Sequence, residues 1–155
     1  MTTLGFERGT AFIAHQIHLA ATLEQLYVMA HDVRGPDGCR PAIEDGATVE
    51  QLLKLRAEVA ALRAMTYLSV SRGARQAVPG PEGNIIALHY AELSQRIHAF
   101  AVELLGNEAL ETHAENPDWL TDYLDAFKNT IAGGTSEIRR NVIGERLLGL
   151  PRGGR

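Results

Sequence analysis

A single cysteine, Cys39, in a chain of 155 residues rules out an internal disulfide framework and fits a reducing cytosol; in a Gly/Pro-rich segment it reads as an unremarkable loop thiol. No apolar run approaches the roughly 18 residues of a membrane span, and the N-terminus lacks the charged-then-apolar profile of a signal peptide. The expectation is a soluble, cytoplasmic protein with no membrane partner. Positive charge is also scarce, with 15 Lys plus Arg against 19 Asp plus Glu and a formal net charge of −4. That leaves no electrostatic footprint for nucleic acid and no polybasic anchor. The β-branched clusters and hairpin dipeptides that would mark strands are missing. So are a G-x-S-x-G elbow and a phosphate loop ending in Gly-Lys-Ser or Gly-Lys-Thr.

What the chain does have is a hydrophobic content of 45%, enough for one domain with a real core. The apolar residues recur at helical spacing. The spacing predicts long helices from about Leu4 to Asp32, Thr48 to Ala77 and Glu82 to Leu110, a shorter one after Asn116-Pro117 through about Phe127, and a last helix beginning at Thr135. The expected fold is all-α, an antiparallel helical bundle of three long and two shorter helices. Arg34-Gly35-Pro36-Asp37-Gly38-Cys39-Arg40-Pro41 and Pro79-Gly80-Pro81 punctuate it. Leu52, Leu55, Val59, Leu62 and Met65 form an apolar face read first as core, some of which can also face a partner.

Residues 131 to 152 combine a glycine turn, a helix start and a helix stop. Gly133 and Gly134 permit backbone conformations that a Cβ forbids, and Thr135 can cap the helix by accepting a hydrogen bond from an early N–H. Ile138, Val142 and Ile143 define an expected apolar stripe, and Gly149 and Pro151 are placed to end the helix. Such an entry presents backbone N–H groups and the positive end of the dipole, so it can cradle a phosphate or a polar cofactor edge. It can equally be an ordinary capped surface helix. Metals fit less well: His15 and His18 share a helix face at i, i+3, but no glutamate precedes a histidine by three, as a di-iron bundle requires. Glu115, Asp118, Asp122 and Asp125 follow no Ca²⁺-loop spacing and read as a solvated face.

Gly-Gly-Thr-Ser-Glu-Ile-Arg-Arg-Asn, followed by Gly-Glu-Arg-Leu-Leu-Gly-Leu-Pro, closely resembles the C-terminal signature of the acyl-CoA dehydrogenases, flavoenzymes that desaturate acyl-CoA thioesters. Leu4-Gly5-Phe6-Glu7-Arg8 resembles the opening of the first long helix of that family's C-terminal domain, and Val102-Glu103-Leu104-Leu105-Gly106 is similar, more loosely, to its helix end near the flavin nucleotide. The resemblance spans residues 1 to 155 as one helical domain, with no N-terminal helical domain or β-domain expected in this chain.

The resemblance implies FAD as cofactor, an acyl-CoA substrate and a place in lipid metabolism and fatty acid β-oxidation. It also implies assembly as a homodimer or homotetramer, or with a related subunit. The reaction needs a carboxylate beside the carbon alpha to the thioester carbonyl. Many members place it immediately before the Gly-Thr-Ser turn, where this chain has Gly133. Other branches place it directly before the arginine of the first helix, the slot of Glu7. The resemblance therefore assigns Glu7 as base, Arg8 and Gly133 to the substrate, and Gly134, Thr135, Ser136 and Glu137 to the cofactor.

The chain departs from the family pattern after the first helix. His31-Asp32-Val33-Arg34-Gly35-Pro36-Asp37 lacks the phenylalanine that, three residues after an arginine, holds a neighbouring subunit's flavin in many members. Arg34 or Arg40 can supply charge there, while Glu103 stands where glutamine is frequent and would oppose a pyrophosphate. Two readings follow: the C-terminal part of a flavin-dependent dehydrogenase that needs further domains for activity, or a helical assembly domain or partner subunit without chemistry.

Overall fold

A computed structural model of the chain describes residues 12–75, 81–111 and 118–152. In these residues the chain forms α1 (Phe12–Asp32), α2 (Gly46–Gly73), α3 (Gly83–Leu105), α4 (Trp119–Ala126) and α5 (Ser136–Arg146). Short 3-10 turns occupy Ala42–Glu44, Gly106–Leu110 and Phe127–Thr130. Among the described residues there is no strand, only an isolated bridge between Arg34 and Pro41. The fold is thus all-helical, with three long and two shorter helices as expected.

The order of the ion pairs shows how the long helices run. Arg72 reaches Glu82 at 3.7 Å near the joined ends of α2 and α3, and Arg96 pairs with Glu58 farther from the joint on both helices. Partners that recede together from a joint belong to antiparallel helices. Leu19 and Leu26 on α1, Leu55 and Leu62 on α2, and Ile86 and Leu93 on α3 are seven residues apart, and all are less than 2% exposed. Two helical turns return a side chain to the same face, so these pairs project into one core. Burying each stabilises the fold by roughly 1.5–3 kcal/mol. Leu52 and Val59 join them, and Met65 packs partly buried against the cluster.

The helix ends follow local chemistry more closely than periodicity does. α2 begins two residues before Thr48 because the Asp45 carboxylate accepts from the Thr48 N–H at 2.8 Å and caps the first turn. α3 stops at Leu105, short of the expected Leu110, where Gly106 turns to φ 55 and the chain tightens into a 3-10 turn. α4 likewise ends at Ala126, before Phe127, and is capped by Asp118, which accepts from Thr121 N–H at 3.1 Å. The predicted helical stretches before Phe12 and after Arg75 lie outside the described residues.

α3 is the shared partner of the fold. It packs against α1 and α2 on one side and α4 and α5 on the other. α5 departs from its expected pattern. Ile138 is 44% exposed and Val142 and Ile143 are only half-buried, so no buried apolar stripe holds it. Its buried side chains are Ser136 and Arg139, three residues apart and therefore on one face.

Candidate functional site

The site is built where the chain leaves α4 and enters α5. The 3-10 turn ends with the Ala132 N–H donating to the Lys128 carbonyl at 2.8 Å. Gly133 at φ 69 and Gly134 at φ 115 then reverse the backbone, in conformations that residues with a Cβ rarely adopt. Thr135 caps α5, its hydroxyl accepting from the Ile138 N–H at 3.4 Å. The signature thus forms the turn and capped start its residues predict, and Gly149 takes the left-handed φ of 67 just beyond the helix end.

Glu137 sits in the first turn of α5. Its own backbone N–H, then the Thr135 hydroxyl and the nearby Arg140, hold its carboxyl below the usual carboxylate range. This carboxylate therefore already supplies an anion at the positive end of the helix. The turn suits a ligand edge that can donate to Glu137 and accept from backbone N–H groups, such as a hydroxyl-bearing sugar chain. A pyrophosphate here would meet like charge.

Thr135, Glu137, Arg140, Glu92, Gln95 and Phe127 line a cleft of about 410 Å³ between α3 and α5. Arg140 pairs with Glu92 across the two helices, and the Gln95 amide donates to the Thr130 hydroxyl at 3.2 Å. Of the residues assigned from sequence, Gly133, Gly134, Thr135, Ser136 and Glu137 are consecutive in this turn, with Ser136 buried and Glu137 exposed. Glu7 and Arg8 lie outside the described residues.

A second cleft, of about 820 Å³, lies at the far end of the bundle between the α1–α2 loop, the start of α2 and the end of α3. Arg34 and Glu103 both line it, with Arg96 and Phe100. The Arg34 guanidinium donates to the Cys39 carbonyl, and both guanidinium arms of Arg96 are engaged by Glu58. Arg40 is also engaged, its Nε lying 2.8 Å from Asp37, whose carboxylate further accepts from the Cys39 and Arg40 N–H groups. The loop is a closed knot of hydrogen bonds with its arginines turned onto its own acceptors. Such a cleft is a poor match for a pyrophosphate.

Elsewhere, the His15 ring meets Tyr90 edge-on at 5.0 Å, and the His18 carbonyl accepts from the Thr22 hydroxyl at 3.1 Å. Among the described residues no three His, Cys, Asp or Glu side chains gather as a metal site, and no helix is long and apolar enough to cross a membrane.

Sequence reasoning passed over Arg139, the fourth residue of α5. It is 4% exposed, and its Nε and Nη2 donate to the Gly134 and Ala132 carbonyls at 3.0 Å each. The available signal was its i, i+3 spacing from Ser136, which puts both on one face of the helix, away from the exposed Ile138.

An α5 start capped by threonine behind a glycine pair is set against the middle of a helical core. The chain belongs to the family described as acyl-CoA dehydrogenase, C-terminal domain, which it matches over residues 1–148. It is 32% identical over 154 residues to the acyl-CoA dehydrogenase IpdE1 of Mycobacterium tuberculosis (strain ATCC 25618 / H37Rv), covering 98% of this chain but 37% of that protein. The chain thus spans little more than a third of that relative. In fold it is similar to the FAD complex of PigA, at TM-score 0.78 and 17% identity over 93% of this chain and 36% of that one. It also matches a chain of the ChsE4-ChsE5 complex from Mycobacterium tuberculosis, at TM-score 0.70 and 22% identity over 88% of this chain and 36% of that one.

Proposed function

We propose that this chain is the C-terminal domain of a flavin-dependent acyl-CoA dehydrogenase, active when joined to domains that complete the flavin and acyl pockets. The observation that carries this reading is the capped Gly133–Glu137 turn, whose Glu137 carboxylate and backbone donors suit a hydroxyl-bearing edge of FAD. Gly134, Thr135, Ser136 and Glu137 hold that edge. When bound, FAD supplies the acceptor for the hydride that leaves the carbon beta to the thioester carbonyl. Glu7 takes the proton from the alpha carbon, because Gly133 has no side chain to do so and Glu7 stands directly before an arginine in the segment that resembles the opening of the family domain's first long helix. Burial beside an apolar acyl chain would raise the pKa of such a carboxylate toward the working range of a base. Arg8 and the Gly133 backbone contact the acyl-CoA. The protein works in the cytoplasm as a dimer or tetramer of identical chains, or with a related subunit.

A second reading, a helical assembly subunit without chemistry, is favoured by one observation. Arg34, Arg40 and Arg96 are engaged by groups of this chain, and Glu103 adds negative charge to the cleft where a neighbour's flavin would need a cation. The visible spectrum of the chain joined to the further domains, after FAD addition and removal of excess, with its solution mass, separates the two. Retained stoichiometric flavin supports the first, and a colourless oligomer the second. In an enzyme completed by the further domains, Glu7→Gln is expected to lower turnover by about 10²–10⁴-fold, and unchanged turnover eliminates Glu7 as the base.

A further inference from the structure

An arginine side chain inside a protein is held by acceptors, and those of Arg139 are informative. Two of them are the carbonyls of Ala132 and Gly134, at 3.0 Å each, on either side of Gly133. The guanidinium has rigid, divergent N–H vectors, so its Nε and Nη2 close a fork across the glycine reversal. Ala132 follows the 3-10 turn, its own N–H donating to the Lys128 carbonyl at 2.8 Å. Arg139 is in turn fixed by its own helix, its N–H donating to the Thr135 carbonyl at 2.9 Å.

The consequence reaches the outer side of the turn. In a planar trans peptide the C=O and N–H point in opposite directions. Holding the Ala132 carbonyl toward Arg139 turns the Gly133 N–H the other way, and holding the Gly134 carbonyl does the same for the Thr135 N–H. The glycines allow this conformation without selecting it, since glycine samples many others at similar energy. Ser136, on the same face as Arg139, is likewise buried, at 8% exposed.

We propose that Arg139 is the positioning residue of this site: it sets the direction of the Gly133 and Thr135 N–H groups, so ligand affinity at the turn depends on a side chain that need not touch the ligand. The proposal rests on the turn being a ligand-contacting element, and two independent readouts separate the claims. The first is amide hydrogen exchange at Ala132, Gly134 and Ile138 in the wild-type chain, Arg139→Gln and Arg139→Lys, read beside the α1–α3 amides and the melting temperature. The second is retention of FAD by the same three sequences, each joined to the further domains that complete the flavin pocket.

Arg139→Gln is expected to exchange at least about tenfold faster at the turn, with α1–α3 exchange unchanged. Arg139→Lys should fall between, because one ammonium replaces two diverging N–H arms. Loss of about tenfold in FAD affinity at unchanged melting temperature completes the expected result. Unchanged turn exchange in Arg139→Gln overturns the proposal, as does equal acceleration of turn and core, which is the signature of simple destabilisation. If Arg139→Gln does not fold, Arg139→Lys decides by the same criteria. FAD held equally by wild type and a variant with a loosened turn also overturns it. A wild-type sequence that retains no FAD even when joined to the further domains counts against the flavin reading alone, and the exchange data still decide the role of Arg139.

Discussion

The two sides of α3 are held by different physics. Against α1 and α2 it meets an apolar interior in which Leu19, Leu26, Leu55, Leu62, Leu93 and Ile97 are essentially sealed from solvent. Against α5, whose buried side chains are Ser136 and Arg139, it carries the Glu92–Arg140 pair, while Ile138 is 44% exposed. Apolar burial is strong and tolerant of small rotations. Hydrogen bonds to two defined carbonyls stabilise less but fix direction. The first side makes the domain stable, and the second orients a turn.

Leu62→Ala should do most to test that contrast, since it opens a cavity in the sealed side. It is expected to cost about 2–5 kcal/mol in reversible unfolding, whereas Ile138→Ala on exposed α5 should stay within about 0.5 kcal/mol. Equal losses would mean that α5 is packed like the core. Next comes Gly134→Ala, which places a Cβ at φ 115 and is expected to cost about 1–3 kcal/mol of strain. A thermal melt as stable as wild type would show that the turn relaxes freely. Thr135→Ala removes the cap and should cost about 1 kcal/mol, with the loss concentrated in hydrogen exchange of the first turn of α5.

The smallest effect is electrostatic and lies on the sealed side's edge. Arg96 holds the Glu58 carboxyl below its ordinary value of 4.5. A carboxylate with a lowered folded pKa contributes stability above its unfolded pKa, and this is lost as pH falls through the folded value. Acid titration below about pH 4.5 should therefore weaken the wild type more than Glu58→Gln. The difference will be small and salt-sensitive because both side chains reach solvent. Parallel acid profiles would assign this ion pair no role.

Much of the core was legible in the chain. Leu52, Leu55, Val59 and Leu62 follow helical spacing over a long uninterrupted run, and long amphipathic runs leave few alternatives to a helix. Ends were less legible. The stop of α3 at Leu105 depends on Gly106 and the start of α2 on the Asp45 cap, local interactions that hydrophobic spacing does not contain. The Gly133–Thr135 turn was readable because glycine and threonine each have a narrow reason to stand there. The inward face of α5 is not legible in this way: spacing predicts an apolar stripe of Ile138, Val142 and Ile143, whereas Ser136 and Arg139 are the buried residues, since periodicity ranks residues by apolarity and says nothing about which carbonyls await a buried cation.

Sequence by itself determined that this protein is helical, where its turns lie and that its last helix starts with a glycine reversal and a threonine cap. These follow from backbone freedom, capping and periodicity, all local. Tertiary structure decided which face of α5 turns inward, that Glu137 fills its own helix start and that Arg139 spans Ala132 and Gly134. It also turned the arginines near the far cleft onto acceptors within this chain. Each of these depends on acceptors whose positions are set only when the backbone has folded, and no spacing of residue types encodes where a carbonyl will point.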